Sequence, residues 1–153
     1  SLMRDLVNAG HKVHTTIQHY EARPATAQEA DTLKITEGTL VVHIERTRFA
    51  DNEPIAVLTN LIPADIAPTM QELESASLYD LMRERGVTLA SARQIIGARS
   101  ATTKEAKLLS EHRGAALLTS QRTTYDPSGR IVECGNHIYR ASRYSFEASL
   151  FAQ

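Results

Sequence analysis

A chain of 153 residues with 42% hydrophobic side chains has enough apolar material for one compact core and too little length for two ordinary domains. Its 17 basic and 18 acidic side chains leave a net charge of -1 with no dense run of either sign, which excludes the broad basic footprint of a nucleic-acid-binding surface. A lone Cys134 rules out an internal disulfide and leaves metal binding without its usual thiolates, and no apolar stretch approaches membrane-spanning length. These features point to the cytoplasm, with no membrane contact, no metal and no cofactor.

Leu2, Met3, Leu6 and Val7 form a helical stripe that stops at Gly10, as the end of a longer helix would. Val13 to Glu21 is β-branched and reads as a strand closed by Pro24. Thr26 with Glu29 three positions later opens a short helix through Ala30 and Leu33, and Gly38 lies in the turn after it. The segment after Gly38 is strand-like rather than a second basic helix, which excludes a helix-turn-helix here.

Thr39 to Phe49 and Pro54 to Ile62 read as two strands around a three-residue loop, Ala50-Asp51-Asn52, which sets Arg46 opposite Ala56 and Ile44 opposite Leu58. Pro63 and Pro68 mark a loop. Ser77 to Arg85 is a helix with Leu78, Leu81 and Met82 on one face, a capping box formed by Ser77 and Asp80, and Gly86 at its end. Thr88 to Ala98 reads as a strand, and Thr102 or Thr103 opens another helix. Leu117 to Tyr125 and Arg130 to Arg140 form a hairpin around Asp126-Pro127-Ser128-Gly129, and Ser145 to Phe151 reads as a short last strand. Strands dominate and neighbours are joined as hairpins. The expected fold is α+β, a largely antiparallel β-sheet with a few short helices covering one face.

The chemistry concentrates on one strand. Side chains alternate across a strand, so Val42, Ile44, Arg46 and Arg48 share a face, and two guanidiniums emerge where a core should continue. Desolvating them without acceptors costs several kcal/mol, so they need carboxylates of this chain or an anion from outside. Glu45, Glu53 and Glu133 are the internal candidates, and parity turns Glu45 away. The register also puts Asn60 on the arginine face.

Glu133, His137 and Tyr139 share a strand face with Ile131, and an ion pair of Arg122 with Glu133 across the hairpin would absorb that carboxylate. Ser77 has two readings, a helix cap or part of an anion cradle at a helix start. There is no nucleophile elbow, Walker loop, dinucleotide fingerprint or zinc-protease helix, and the six histidines show no metal-like clustering.

The order of motifs resembles one family. Arg46-Thr47-Arg48 stands before Asp51-Asn52-Glu53-Pro54-Ile55. Ser77-Leu78-Tyr79 then opens a helix ending at Gly86. Asp126 to Gly129 leads to Ile131-Val132-Glu133, with Tyr139-Arg140-Ala141-Ser142-Arg143-Tyr144 beyond. This arrangement resembles the UTRA domain, the effector-sensing half of HutC-type regulators in the GntR family. The resemblance implies a chorismate-lyase-like fold and a homodimer, with residues 1–10 as the end of a linker helix and 11–153 as the effector-binding domain. DNA would be contacted only through an N-terminal winged helix-turn-helix that this chain lacks.

In family members that sense sugar phosphates, the matching arginines and the Ser and Tyr hold the phosphate while the matching Glu and Tyr approach the sugar. Carried over, the ligand-binding set is Arg46, Arg48, Ser77, Tyr79, Glu133 and Tyr139, with Ser1 a further candidate. His137, Leu58 and Asn60 join it from the strand faces. Leu58 departs from the acidic residue that amino-sugar-phosphate sensors often carry there. The expected function is binding of a small anionic effector, a phosphorylated sugar or a carboxylate, with no catalytic residue. Two rivals are an enzyme of the same fold using Glu133 as general acid, and a ligand-free dimerisation module in which the arginines are paired with the chain's own acids.

Overall fold

The computed structural model describes residues 9–152, so the stripe expected over Leu2 to Val7, and Ser1 with it, lies outside the described residues. In chain order the elements are β1 (Val13–Pro24), α1 (Ala27–Leu33), β2 (Leu40–Ala50), β3 (Glu53–Pro63), a 3-10 turn (Ala64–Ile66), α2 (Met70–Leu73), α3 (Leu78–Glu84), β4 (Ser91–Ser100), α4 (Thr103–Leu108), β5 (Ala116–Tyr125) and β6 (Ile131–Arg140). The strands pair antiparallel in one sheet of order β1-β2-β3-β6-β5-β4. The α+β expectation therefore holds, as a six-stranded sheet.

Short helices of this kind depend on their first turn, because nucleation is costly and few residues come after it to repay that cost. Thr26 with Glu29, Thr69 with Glu72 and Thr102 with Glu105 each form a reciprocal capping box at the start of α1, α2 and α4. At α3 the expected box is half made: Ser77 accepts from the Asp80 N–H at 3.3 Å, but the shorter Asp80 side chain turns to Arg83 at 3.1 Å.

Helices cover both faces of the sheet, not one as expected. On the first face Val42, Ile44 and Ile62 pack against Leu78, Leu81 and Met82 of α3. On the other, α1 closes over Val41, Ile131 and Cys134, and α4 over Val57 and Leu117. The split is forced because both parities of β2 and β3 are apolar at their ends, so each face has a patch to bury.

Three local expectations are corrected. The β2–β3 loop has two residues, Asp51 and Asn52, both at positive φ (50° and 67°) as a tight hairpin turn needs, and a bulge at Arg48/Phe49 then sets Arg46 opposite Leu58 and Ile44 opposite Asn60. The β5–β6 turn has five residues, 126–130, rather than the four expected, so Tyr125 faces Ile131, and the register slips again before Thr124, which faces Glu133. Val132 is the extra residue. Ile131 consequently packs on the α1 side, away from Glu133, and Arg122 stands opposite Gly135 rather than Glu133. The last strand expected over Ser145 to Phe151 does not form: that segment is irregular, with Leu150 and Phe151 90% and 91% exposed.

Candidate functional site

Three rungs of the sheet build the site, and the register tells what each contributes. Reading from β1 to β5, one rung is Ile17, Arg46, Leu58, His137 and Ser120, the next toward the β2–β3 turn is Thr15, Arg48, Ala56, Tyr139 and Leu118, and on the other side lie Tyr20, Ile44, Asn60, Gly135 and Arg122. Alternation puts all these side chains on the α3 face. Glu133, opposite Thr124, completes the floor, and Tyr79 from the first turn of α3 forms part of the roof.

Arg46 and Arg48 are 4% and 8% exposed. Arg46 Nη2 donates to Asn60 Oδ1 at 3.2 Å, its Nε has no partner, and Arg48 Nε reaches Thr15 Oγ1 at a long 3.4 Å. Among the described residues no carboxylate lies within 4.0 Å of either guanidinium. Each internal candidate is otherwise engaged. Glu45 is on the opposite face, Glu53 pairs with Arg143 at 2.8 Å, and Glu133 takes three neutral donors. Burial, and then the neighbouring Arg48 charge, lower the Arg46 pKa to about 10, and burial lowers that of Arg48.

Glu133 is fully buried and held from three sides, by Asn60 Nδ2 on Oε1 at 2.8 Å and by Thr124 Oγ1 at 2.8 Å and the Tyr79 hydroxyl at 3.2 Å on Oε2. Burial raises its pKa against the opposing effect of those donors. Burial and the Glu133 charge likewise raise that of Tyr79. Asn60 links the two halves of the site, accepting from Arg46 and donating to Glu133.

His137 Nδ1 meets the Tyr139 hydroxyl at 3.4 Å, and Nε2 is buried without a partner. Burial and the charges of Arg46, Arg48 and Arg122 push its pKa down to about 3, so the imidazole is neutral at physiological pH. Tyr139 stacks on Tyr144 at 4.5 Å, and burial raises its pKa to about 12. A Cβ built on Gly135 would stand 2.6 Å from His137 Nε2 and 2.8 Å from Glu133 Oε1, so only glycine lets those two groups lean over the floor together.

Of the side chains named from the sequence, Arg46, Arg48, Leu58, Asn60, Glu133, His137 and Tyr139 thus share one sheet face beneath Tyr79. Ser77 is at the edge of the group, its oxygen occupied by its own helix. Two participants are not evident from the sequence pattern, Thr15 and Thr124, and a third, Arg122, lies with its Cζ 5.3 Å from the Tyr79 ring centroid. The signal for Arg122 is present in the hairpin, but pairing it with Glu133 depends on a four-residue turn without the bulge, and the turn has five residues. A hollow of about 610 Å³ opens on the opposite face beside α4, bordered by Glu45 and Lys104 and by Arg99 and Glu105, which satisfy each other at 2.6 Å. The buried cations without a carboxylate partner among the described residues, Arg46 and Arg48, lie on the α3 side.

The match to a family model decides the kinship: the UTRA domain model fits residues 8–145. The chain belongs to the UTRA domain family. The repressor NagR of Bacillus subtilis is 29% identical over 95% of this chain, and the chain spans 61% of that protein's length. A crystal structure of a Streptomyces coelicolor protein described as a transcriptional regulator superposes with a TM-score of 0.85 at 46% identity, covering 94% of this UTRA chain and 96% of that one. The ligand-binding domain of a GntR-family regulator from Bordetella bronchiseptica superposes with a TM-score of 0.84 at 26% identity over 92% and 91% of the two chains. These relatives carry regulator names, and this UTRA domain belongs with regulators rather than enzymes. No helix among the described residues is long and apolar enough to cross a membrane.

Proposed function

We propose that this chain is the effector-sensing and dimerisation part of a GntR-type, cytoplasmic transcriptional regulator. A small anionic metabolite binds beneath α3, and its different affinity for two arrangements of the homodimer changes how a winged helix-turn-helix on the N-terminal side engages DNA. The observation that carries the reading is the pair Arg46 and Arg48, both buried and both without a carboxylate partner among the described residues. Buried guanidiniums left in this state favour a planar, forked acceptor such as phosphate or carboxylate. The same observation weighs against a ligand-free dimerisation module, which needs those charges neutralised internally.

Calorimetric titration with phosphorylated sugars, urocanate-like acids and phosphonates tests this reading. At least one class is expected to bind the wild-type chain and to lose all measurable affinity in Arg46→Ala/Arg48→Ala. An affinity that survives the double substitution would remove the site from the proposal.

A further inference from the structure

We infer that the effector carries two separate acidic groups joined by a short spacer, the first held by Arg46 and Arg48 and the second by Arg122. The inference rests on the site proposed above and extends it to a ligand class, phosphorylated or phosphonylated carboxylic acids and their dicarboxylate analogues.

Position is the first argument. Arg46 and Arg48 stand on β2, while Arg122 stands on β5, three strands across the same face, so the backbones of the two banks are about 14 Å apart at ordinary strand spacing. Long side chains reaching inward from both banks bracket the floor formed by Leu58, Gly135 and His137. A single compact anion seated between Arg46 and Arg48 leaves Arg122 on the far bank.

Charge is the second. Three guanidiniums face one carboxylate, since His137 is neutral and no other acid lies on the three rungs. Glu133 feels the Arg122 charge but makes no ion-pair contact with it: its oxygens are occupied by Asn60, Thr124 and Tyr79, and no carboxylate among the described residues comes within 4.0 Å of Arg122. The Arg122 Nε is itself buried without a hydrogen-bond partner. Its planar group lies against the Tyr79 ring, which fixes the fork in one orientation and lowers the entropy lost when an acid is bound.

The floor between the banks supplies the third. Leu58 is buried and accepts or donates nothing, and His137 offers one neutral nitrogen. That suits a short carbon spacer carrying few polar groups.

Phosphonoacetate, phosphonopropionate and phosphonobutyrate, each paired with the alkylphosphonate of equal length lacking the carboxylate, are the probes. They are titrated calorimetrically into the 153-residue chain and into Arg122→Gln, Arg122→Met and Arg46→Ala/Arg48→Ala. At least one phosphonocarboxylate is expected to bind about tenfold more tightly than its alkylphosphonate, as one added charge-assisted fork implies. Both Arg122 variants should bring the two members of that pair within about twofold, because the phosphonocarboxylate loses more affinity than its alkylphosphonate.

Equal affinity within every pair in the wild type, including no heat from any probe at millimolar concentration, overturns the two-acid inference. So does a preference that survives in a folded Arg122 variant. Equal losses for both pair members in the Arg122 variants assign Arg122 to packing on Tyr79 and overturn it as well. Survival of all binding in Arg46→Ala/Arg48→Ala is a different failure, that of the site itself.

Discussion

Two sets of buried arginines sit in the same sheet under opposite conditions. Arg140, at the end of β6, is 7% exposed, donates from Nε to Glu111 at 3.0 Å and from Nη1 to the Pro54 carbonyl at 2.9 Å, and its acid is further anchored by the Ser142 hydroxyl. Arg46 is buried to the same degree with a single neutral acceptor. Burial alone therefore does not separate structure from function here; the number of acceptors does. One arginine fastens the chain, and the other is held ready for something brought to it.

The largest expected effect comes from that contrast. Arg140→Ala leaves Glu111 without its cation and the Pro54 carbonyl without its donor, and is expected to lower unfolding stability by about 3 kcal/mol. Arg46→Ala removes a charge that burial and Arg48 both disfavour, so the urea midpoint is expected to stay level or rise. A loss at Arg46 equal to that at Arg140 would erase the distinction.

Next in size is Gly135→Ala. The added methyl must displace His137 Nε2 or a Glu133 oxygen, and the carboxylate is tied by three donors, so relief is expensive. A loss of about 2 kcal/mol is expected, together with weaker effector binding; no change in either would mean that Glu133 and His137 are not held in this way.

Much of this site is legible in the residues alone, and the part that is not has one physical source. Parity along β2 is enough to put Arg46 and Arg48 on one face, because side-chain alternation needs no tertiary information. Asn60 reaches that face on the expectation of a three-residue loop; the loop has two, and the bulge at Arg48/Phe49 restores the parity. In the second hairpin the turn takes one residue more than the four expected and Val132 shifts the register by one further, so Arg122 meets Gly135 where the short-turn, unbulged register matches it to Glu133. Bulges answer to packing on both sides of a strand, which a single chain segment does not display. The tail after Arg143 departs from expectation for a related reason: its apolar, β-prone residues find no strand to pair with.

The two kinds of burial also respond differently to acid. His137 titrates near 6.5 in an unfolded chain but is pushed to about 3 here by burial and by Arg46, Arg48 and Arg122. Between these values the unfolded state binds the extra proton, so stability falls as pH drops from 6.5 toward 3, by up to about 1.4 kcal/mol per unit. Glu133 works with the opposite sign: its pKa is raised, so its contribution is present below the ordinary carboxylate range and is lost as pH rises through the folded value. Denaturation of wild type and His137→Gln across this acid window should show a shallower decline in the variant. Saturation with an anion that neutralises the arginines should flatten the wild-type decline too.

The smallest expected effect tests the one named residue that stands between the two roles. Ser77 Oγ accepts from the Asp80 N–H, so Ser77→Ala is expected to cost about 1 kcal/mol as an N-cap whatever else the hydroxyl does. Ser77→Gly costs only a few tenths on the same account, since glycine is tolerated at that position. The hydroxyl keeps its own O–H for a donor's role, which the cap does not use. If the family's phosphate contact extends to this chain, both variants lose about tenfold in affinity for an alkylphosphonate despite their different stabilities. If Ser77 only starts α3, affinity stays level in both and stability alone divides them, which would put Ser77 with Arg140 rather than with Arg46.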